Sequence, residues 1–539
     1  MKNKNYQWLT VITISIIVAT INIFHVIIGL AKTPTGFTYL ATGHYYLDYF
    51  EYLQHIAAGI AGRWIPTNYF TTGPSLADWR FFPYIILGKI AWIFHFSPVT
   101  IYWVAVFFLT LFTLIGFYYL INLMLPKENY FIKIIAFLIS FFSGPAYQIL
   151  IKNGQLILNP YDFWYGPAAF IRRFEVVPYH ALGLILLLLI IMIIDKIWKN
   201  IHNLSNEAVL IKGFFVAILS IILMTFSPLV LASLMPTLLI VSFIYFIKNK
   251  KIRLKLILFN MIILILAIFA GFILRQNVGY GGMSFEVKWI IHDPWWFVLL
   301  NLGPIILFFP FGLRDYIKEN NFIRQILIIF ALISYGLYIS PVAYYLGTHN
   351  LRFFSSISYV CFGALAALGI KNIASVSVKY QNKLIIITSS LLIIYSCFLT
   401  YYSLKIRLLG LDKRTPNSTL TYLPSPIIEG LKSLQNFPQA NILTGPYGGI
   451  GMVSPIFSYK KVYVGYSTGT PNIEEKQATS NLFFEGKMKE NEAMKFLKIN
   501  KLGFVVLTSL DNYDVRNINN YRFLKPIYFK ESIIIWKVI

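Results

Sequence analysis

Two carboxylates and two histidines stand close together early in this chain, within the stretch 43–64 (GHYYLDYFEYLQHIAAGIAGRW). At about 100° per residue, Asp48, Glu51 and His55 fall on one face of a helix. One carboxylate can deprotonate a hydroxyl group, and a second can orient the first or help to hold a divalent cation. We therefore expect Asp48 and Glu51 to be catalytic, and His44 and His55 could complete a metal site with Asp48. The alternative is that these residues are only the solvated face of a helix.

The helix predicted at 43–64 is amphipathic, because apolar residues occupy the face opposite the acids. It is too polar to span a bilayer and suited to lie on its surface. An apolar segment at 8–30 precedes it, long enough to cross the membrane. The segment 82–96 follows it, and because this segment is short and contains Pro83, Gly88 and Lys89, we interpret it as a second interfacial or re-entrant helix.

The composition identifies a membrane protein and excludes a soluble multidomain one. Hydrophobic residues make up 57% of the 539 positions, charged residues only 13%, and the mean hydropathy is +0.65. The net charge of +24 lies mostly in short loops between apolar segments, so we interpret it as a topology signal and expect no nucleic-acid partner. Cys361 and Cys397 lie far apart in apolar runs, which implies neither a disulfide framework nor a metal–thiolate site.

Apolar segments of about 20 residues predict eleven transmembrane helices. Lys and Arg are more than three times as dense in the loops on one side as on the other, which places the N-terminus in the cytoplasm and the long loops outside. The protein is thus expected in the cytoplasmic membrane among its lipids. The predicted spans are 8–30, 99–123, 132–150, 179–194, 211–226, 229–247, 254–274, 295–311, 323–345, 353–370 and 384–402.

The predicted fold class is a polytopic α-helical membrane protein with interfacial helices in its first outer loop and a small C-terminal α/β domain. Residues 1–410 form the transmembrane domain, and its first outer loop, 31–98, carries the acids. From 411 to 539 short apolar runs alternate with Gly, Pro and Asn, a pattern typical of a small α/β domain. The topology places this C-terminal domain outside the cytoplasm.

Several outward-facing cations form a second candidate site. Arginine holds a phosphate through paired N–H donors, and the outer loops are otherwise poor in positive charge. We expect a phosphate-bearing ligand there, while the alternative is contact with ordinary phospholipid. The candidates are Arg172, Arg173, Arg352, Lys288 and His349, with Lys152 and His180 as additional residues at the outer interface.

The layout resembles the GT-C superfamily of membrane glycosyltransferases, such as the protein mannosyltransferases. The matching features are a first transmembrane helix, a large outer loop whose start carries Asp48 in HYYLDYFEYL, the segment FFPYIILGKIAWIFHFSP, a series of apolar helices and an outward C-terminal domain. The oligosaccharyltransferase signature WWDYG is missing from the C-terminal segment, so the resemblance does not extend to N-glycosylation.

The resemblance implies a reaction and its partners. In that superfamily the first-loop acid is the usual catalytic residue and the sugar arrives on a polyprenyl phosphate, so Asp48 is expected to act as the base in an inverting transfer. The partners would be a polyprenyl-phosphate-linked sugar and an extracytoplasmic glycan, lipid or protein. Apart from the resemblance, the acids and histidines of 44–55 leave a divalent metal ion as the one candidate cofactor. Two alternatives remain: a flippase for lipid-linked sugars without catalysis, and a membrane-anchored binding protein.

Overall fold

Apolar helices make up most of the chain in the computed structural model, which describes residues 2–42, 46–152, 154–161, 173, 177–248, 253–277, 287–319, 321–409 and 420–539. The helices up to residue 277 are α1 (Lys2–Ala31), α2 (Tyr46–Ile60), α3 (Phe82–Phe94), α4 (Pro98–Met124), α5 (Tyr130–Phe142), α6 (Pro178–Asn200), α7 (Asn206–Phe226), α8 (Pro228–Lys248) and α9 (Arg253–Asn277). Those that follow are α10 (Phe297–Leu302), α11 (Phe309–Lys318), α12 (Phe322–Ile339), α13 (Val342–Tyr345), α14 (Ser358–Ala374), α15 (Gln381–Leu409), α16 (Ser425–Ser433), α17 (Ile450–Ser458), α18 (Ile473–Phe484), α19 (Glu490–Ile499) and α20 (Val515–Asn519).

The strands form three small sheets. They are β1 (Phe37–Tyr39), β2 (Tyr147–Lys152), β3 (Gln155–Pro160), β4 (Tyr422–Pro424), β5 (Asn441–Thr444), β6 (Leu502–Thr508), β7 (Leu524–Lys530) and β8 (Ile533–Val538). β1 pairs with β4 and β2 with β3, both antiparallel. The third sheet has the order β5-β6-β8-β7, in which β5 and β6 are parallel and the other pairs antiparallel.

The chain is a multi-pass membrane protein. Eight helices among the described residues are long and apolar enough to cross a bilayer. At three other predicted spans the apolar helical stretches are shorter, namely Tyr130–Phe142, the part Leu254–Leu266 of α9, and Ser358–Ala374. The total of eleven spans therefore stays a prediction.

The predicted span 132–150 is wrong in its second half. The helix ends at Phe142, and a β-hairpin of β2 and β3 begins at Tyr147. Pro145 explains the end of the helix, because proline lacks an N–H donor and disfavours the helical conformation of the residue before it. The predicted span 323–345 is also interrupted at a proline, since α12 ends at Ile339, before Pro341. The predicted span 295–311 lies in a helical stretch, Phe297–Lys318, that is long and apolar enough to cross a bilayer and is 3-10 helical at Gly303–Phe308, between α10 and α11.

The chain divides into two compact units. The first unit comprises Met1–Asn22 and Val106–Ser403. In it α14 packs against α5 and α11. The contact with α5 is close because Gly363 has no side chain: a Cβ there would lie 2.5 Å from the Ala136 carbonyl oxygen. Small residues at such contacts let helix backbones approach each other in a membrane.

The second unit comprises Ile23–Ala105 and Leu404–Ile539, so it joins the first predicted outer loop to the C-terminal segment. Its core includes Phe483, Val505 and Trp536 around the four-stranded sheet, and α17 packs against α2. The boundary predicted at 410/411 does not coincide with the limits of this unit. A separate C-terminal α/β domain is thus not confirmed, although residues 420–539 do form helices and strands.

Candidate active site

Helix α2 carries both predicted catalytic acids, as expected from the sequence. Asp48 lies in its first turn, where a negative charge is favourable beside the exposed backbone N–H groups. The prediction that this helix lies on the membrane surface is not supported, because protein covers both of its faces. Phe50 and Leu53 are buried on one face, and Tyr52 and His55 on the other.

The Asp48 carboxylate is held by a tyrosine from the C-terminal segment. The Tyr466 hydroxyl donates a hydrogen bond to Asp48 Oδ1 at 2.7 Å. Tyr466 is 5% exposed, whereas Asp48 remains partly exposed. Burial, and then the negative charge of Asp48, raise the pKa of Tyr466 well above its usual value, so the phenol stays protonated and acts as the donor. One carboxylate oxygen is thereby fixed.

The loop that carries Tyr466 rests on the segment that follows α2. Asn68 Nδ2 donates to the Gly469 carbonyl oxygen at 2.5 Å, and Thr470 Oγ1 donates to the Phe70 carbonyl oxygen at 2.8 Å. The Phe70 ring meets the Tyr466 ring edge to face, with 6.2 Å between centroids. A Cβ on Gly465 would lie 2.5 Å from Phe70, so only glycine fits at this contact. These contacts set the position of the Tyr466 hydroxyl.

Glu51 lies one turn after Asp48 on α2, and its pKa is strongly shifted. Burial, and then the negative charge of Asp48, raise the pKa of Glu51 to about 8, although Arg80 opposes the shift. Glu51 therefore retains its proton at neutral pH and can donate a hydrogen bond. A carboxyl group whose pKa is raised by burial and by a neighbouring carboxylate is typical of sites for acid–base chemistry.

The structure does not bring Asp48 and His55 together as metal ligands. They are seven residues apart on α2, which corresponds to roughly 10 Å along the helix axis. His55 is buried against the Phe81 ring at 4.4 Å between centroids, and burial lowers its pKa to about 3. His44 lies outside the described residues. Among those described, no group of three His, Cys, Asp or Glu side chains could hold a metal ion.

Two residues that the sequence did not single out stand beside these acids. Arg80 donates from Nε to Asp78 Oδ1 at 2.9 Å, and the Asp78 side chain also accepts the backbone N–H of Arg80. The charges of both act on Glu51 and on His55. Arg80 thus brings a positive charge to the acidic face of α2, and half of its side chain is exposed.

Arg173 was predicted to bind a phosphate, but its partners in the structure are backbone carbonyl groups and an aromatic ring. Its side chain is fully buried in the first unit and donates to the carbonyl oxygens of Ser140 at 3.1 Å and Ser143 at 2.6 Å, at the end of α5. The guanidinium also stacks on the Tyr359 ring at 3.7 Å. These contacts indicate a structural role. Its role as a phosphate ligand stays a prediction that they do not support.

Other predicted phosphate-binding residues do lie near one another in the first unit. Asn350 Oδ1 accepts the N–H of Ile291 at 3.0 Å, which ties the segment bearing Lys288 to the segment bearing His349 and Arg352. The rings of Trp289 and His349 are 6.4 Å apart. The positive charge of Arg352 acts on His180, so these two side chains are close to each other. Lys288 is exposed. Lys152 is exposed on β2, and Arg172 lies outside the described residues.

Comparison with known proteins gives a match in fold. No protein-family model and no curated protein matches the sequence. The structure of ArnT from Cupriavidus metallidurans bound to undecaprenyl phosphate matches with a TM-score of 0.53 and 11% identity, over 98% of both chains. The mycobacterial arabinofuranosyltransferase AftD matches with a TM-score of 0.53 and 10% identity, over 99% of this chain and 41% of that one.

The fold is that of the GT-C membrane glycosyltransferases. The resemblance inferred from the sequence is therefore confirmed at the level of fold. None of the solved structures named here is a transporter, so the flippase alternative gains no support. At these identities the GT-C fold assigns no substrate, and the roles of individual residues stay predictions.

Proposed function

We propose that this chain transfers a sugar, a hexosyl or pentosyl group, from a polyprenyl-phosphate carrier to an acceptor outside the cytoplasm. The observation that carries the proposal is the partly exposed Asp48 carboxylate, held by the Tyr466 hydroxyl at 2.7 Å within a GT-C fold. The presence of undecaprenyl phosphate in the related ArnT structure supports a lipid-linked donor. The acceptor would be a cell-surface glycan, lipid or protein.

In the proposed reaction Asp48 is the general base. It takes the proton of an acceptor hydroxyl while that oxygen attacks the anomeric carbon of the donor sugar. The bond between this carbon and the phosphate oxygen breaks, and the polyprenyl phosphate leaves with the electron pair. Attack from the side opposite the leaving group inverts the anomeric configuration. Glu51 is neutral at pH 7, so it adds no second negative charge to the site and acts as a hydrogen-bond donor.

Cations would stabilise the charge that develops on the phosphate during transfer. Lys288, Arg352 and Arg172 are the candidates for this role, with Arg80 as an addition that the sequence did not suggest. The proposed topology sets the protein in the cytoplasmic membrane, with the N-terminus in the cytoplasm and with the first outer loop, 31–98, and residues 411–539 outside.

The test is release of polyprenyl phosphate, detected by mass spectrometry, when purified protein is incubated with a panel of polyprenyl-phosphate sugars and acceptors. We expect release by the wild type and none by Asp48→Asn, which keeps the size of the side chain but cannot take up the proton. Asp514→Asn is the matched control, because Asp514 pairs with Arg516 at an exposed site. Full activity of Asp48→Asn would remove Asp48 from the mechanism.

A further inference from the structure

A second site lies within the second unit, lined by none of the residues discussed so far as catalytic. It is a cleft of about 420 Å³. Its lining residues come from the turn after α2, the segment that follows it, and the C-terminal segment: Arg63, Tyr69, Gln439, Ala440, Asn441, Lys461 and Lys501.

Backbone hydrogen bonds bring these residues to one end of the four-stranded sheet. The N–H of Val462 donates to the Tyr69 carbonyl oxygen at 2.9 Å, and the N–H of Ile442 donates to the Lys461 carbonyl oxygen at 2.8 Å. The N–H of Asn441 donates to the Lys501 carbonyl oxygen at 3.1 Å. Since β5 and β6 are parallel, Asn441 and Lys501 mark the end at which both strands begin. The cleft is thus built on regular backbone pairing.

The lining is strongly basic. The seven residues include three cations and no carboxylate. Burial, and then the positive charge of Arg63, lower the pKa of Lys461, so these two cations oppose each other. Arg63 also lies over the Tyr69 ring, 5.6 Å from its centroid. A bound anion would relieve this repulsion, because each cation would then face an opposite charge.

Tyr69 provides an independent indication of a ligand. It is 2% exposed, and among the described residues its hydroxyl has no hydrogen-bond partner. A buried hydroxyl without a partner is destabilising by about 1–3 kcal/mol, so such groups are rare unless a ligand or water pairs with them. The charge of Arg63 acts on this phenol, and Lys461 and Lys501 belong to the same lining. A hydroxyl, an arginine and two lysines match the donor set expected for an oxyanion.

We propose that this cleft binds an oxyanion, carboxylate or phosphate, carried on a ligand about the size of a sugar unit. The size follows from the volume: at about 30 Å³ per water molecule, the cleft has room for on the order of a dozen waters, far more than one phosphate group fills. Such an anion belongs either to a soluble acidic saccharide or to a phospholipid headgroup. The proposal does not depend on the function assigned to Asp48.

The test measures the unfolding temperature of the full-length protein with inorganic phosphate, glucuronate or neutral glucose as the probe. The two anions should raise the unfolding temperature of the wild type, and glucose should not. Arg63→Gln and Lys461→Gln should weaken the apparent affinity for glucuronate at least tenfold. Lys498→Gln is the matched control, because Lys498 is exposed and lies outside the cleft. An equal loss in Lys498→Gln, or no response of the wild type to either anion, overturns the proposal.

Tyr69→Phe provides a second test, in which the substitution should not lower the unfolding temperature of the protein without anion. Without anion its unfolding temperature should equal or exceed that of the wild type, because the unpaired hydroxyl is gone while the ring remains. Its response to glucuronate should be reduced. A marked loss of stability without anion would contradict the proposal, since it would mean that the hydroxyl already stabilises the protein.

Nanodiscs distinguish the two sources of the anion. The unfolding temperature is measured in nanodiscs of phosphatidylcholine with and without phosphatidylglycerol. If phosphatidylglycerol raises it more for the wild type than for Arg63→Gln, and if it also removes the response to glucuronate, the ligand is a lipid headgroup. If the glucuronate response is the same in both lipids, the ligand is a soluble acidic saccharide. Both outcomes support an oxyanion site.

Discussion

Replacing Tyr466 with phenylalanine removes one hydroxyl from Asp48 and keeps the aromatic ring against Phe70. A hydrogen bond to a charged group contributes about 1.5–3 kcal/mol, and about 1.4 kcal/mol corresponds to one pH unit in a protonation equilibrium. Because the lost bond stabilised the ionised carboxylate, the acid limb of the pH–rate profile should move to higher pH by about one to two units. The plateau rate should fall about ten- to a hundredfold, since one carboxylate oxygen is no longer held in place.

The assay follows release of polyprenyl phosphate from about pH 4 to about pH 9, a range that includes the expected acid limb. Tyr513→Phe is the matched control, because it also removes a 2.7 Å side-chain hydrogen bond, from Tyr513 to Asn481, without contact to Asp48. The control should keep the wild-type profile. An unchanged acid limb in Tyr466→Phe would refute the assignment of Tyr466 as the residue that positions Asp48. It would leave the proposed function in place, because that function is tested by the inactivity of Asp48→Asn.

Three further predictions follow from the described contacts. Glu51→Gln should keep near wild-type activity at pH 7, because a pKa of about 8 leaves Glu51 protonated there. The folded state also binds this proton more tightly than the unfolded chain does. In thermal unfolding the stability of the wild type should therefore fall from about pH 5 to about pH 8, and that of the variant should fall less. Gly465→Ala should lose about 1–3 kcal/mol of stability and most activity because its Cβ meets Phe70, whereas Gly73→Ala, with its nearest neighbour 3.6 Å away, should change neither. Arg173→Met should lower the unfolding temperature and leave the donor KM of the folded protein unchanged; a raised KM with normal stability would support phosphate binding instead.

The sequence was sufficient for the membrane class, for most helices and for helix α2 with its two acids. These features depend on local patterns, since apolar length and 3.6-residue periodicity follow from neighbouring residues. Proline positions would have corrected two of the predicted spans, 132–150 and 323–345. Gly154 after Asn153 is a common hairpin signal, and it could have suggested the turn between β2 and β3.

The hydrogen-bond partner of Asp48 could not be predicted from local sequence patterns. Tyr466 lies 418 residues further along the chain, in a segment whose glycines and threonines indicate only a turn. The burial of His55 and of Arg173 also depends on tertiary packing. The sequence assigned both to binding sites because charged and titratable residues are mostly exposed, and in the structure Phe81 and Tyr359 cover them.

The pairing of β1 with β4 has a consequence for biosynthesis. Thr38 and Ser425 share a hydrogen bond although they are 387 residues apart. At about 5–20 residues per second, the ribosome needs roughly 20 to 80 seconds to make the chain between them. Residues 23–105 therefore emerge long before the segment that completes their unit. Asp48 receives its tyrosine partner only after residue 466 has been made, so a nascent or truncated chain without that residue lacks a positioned carboxylate.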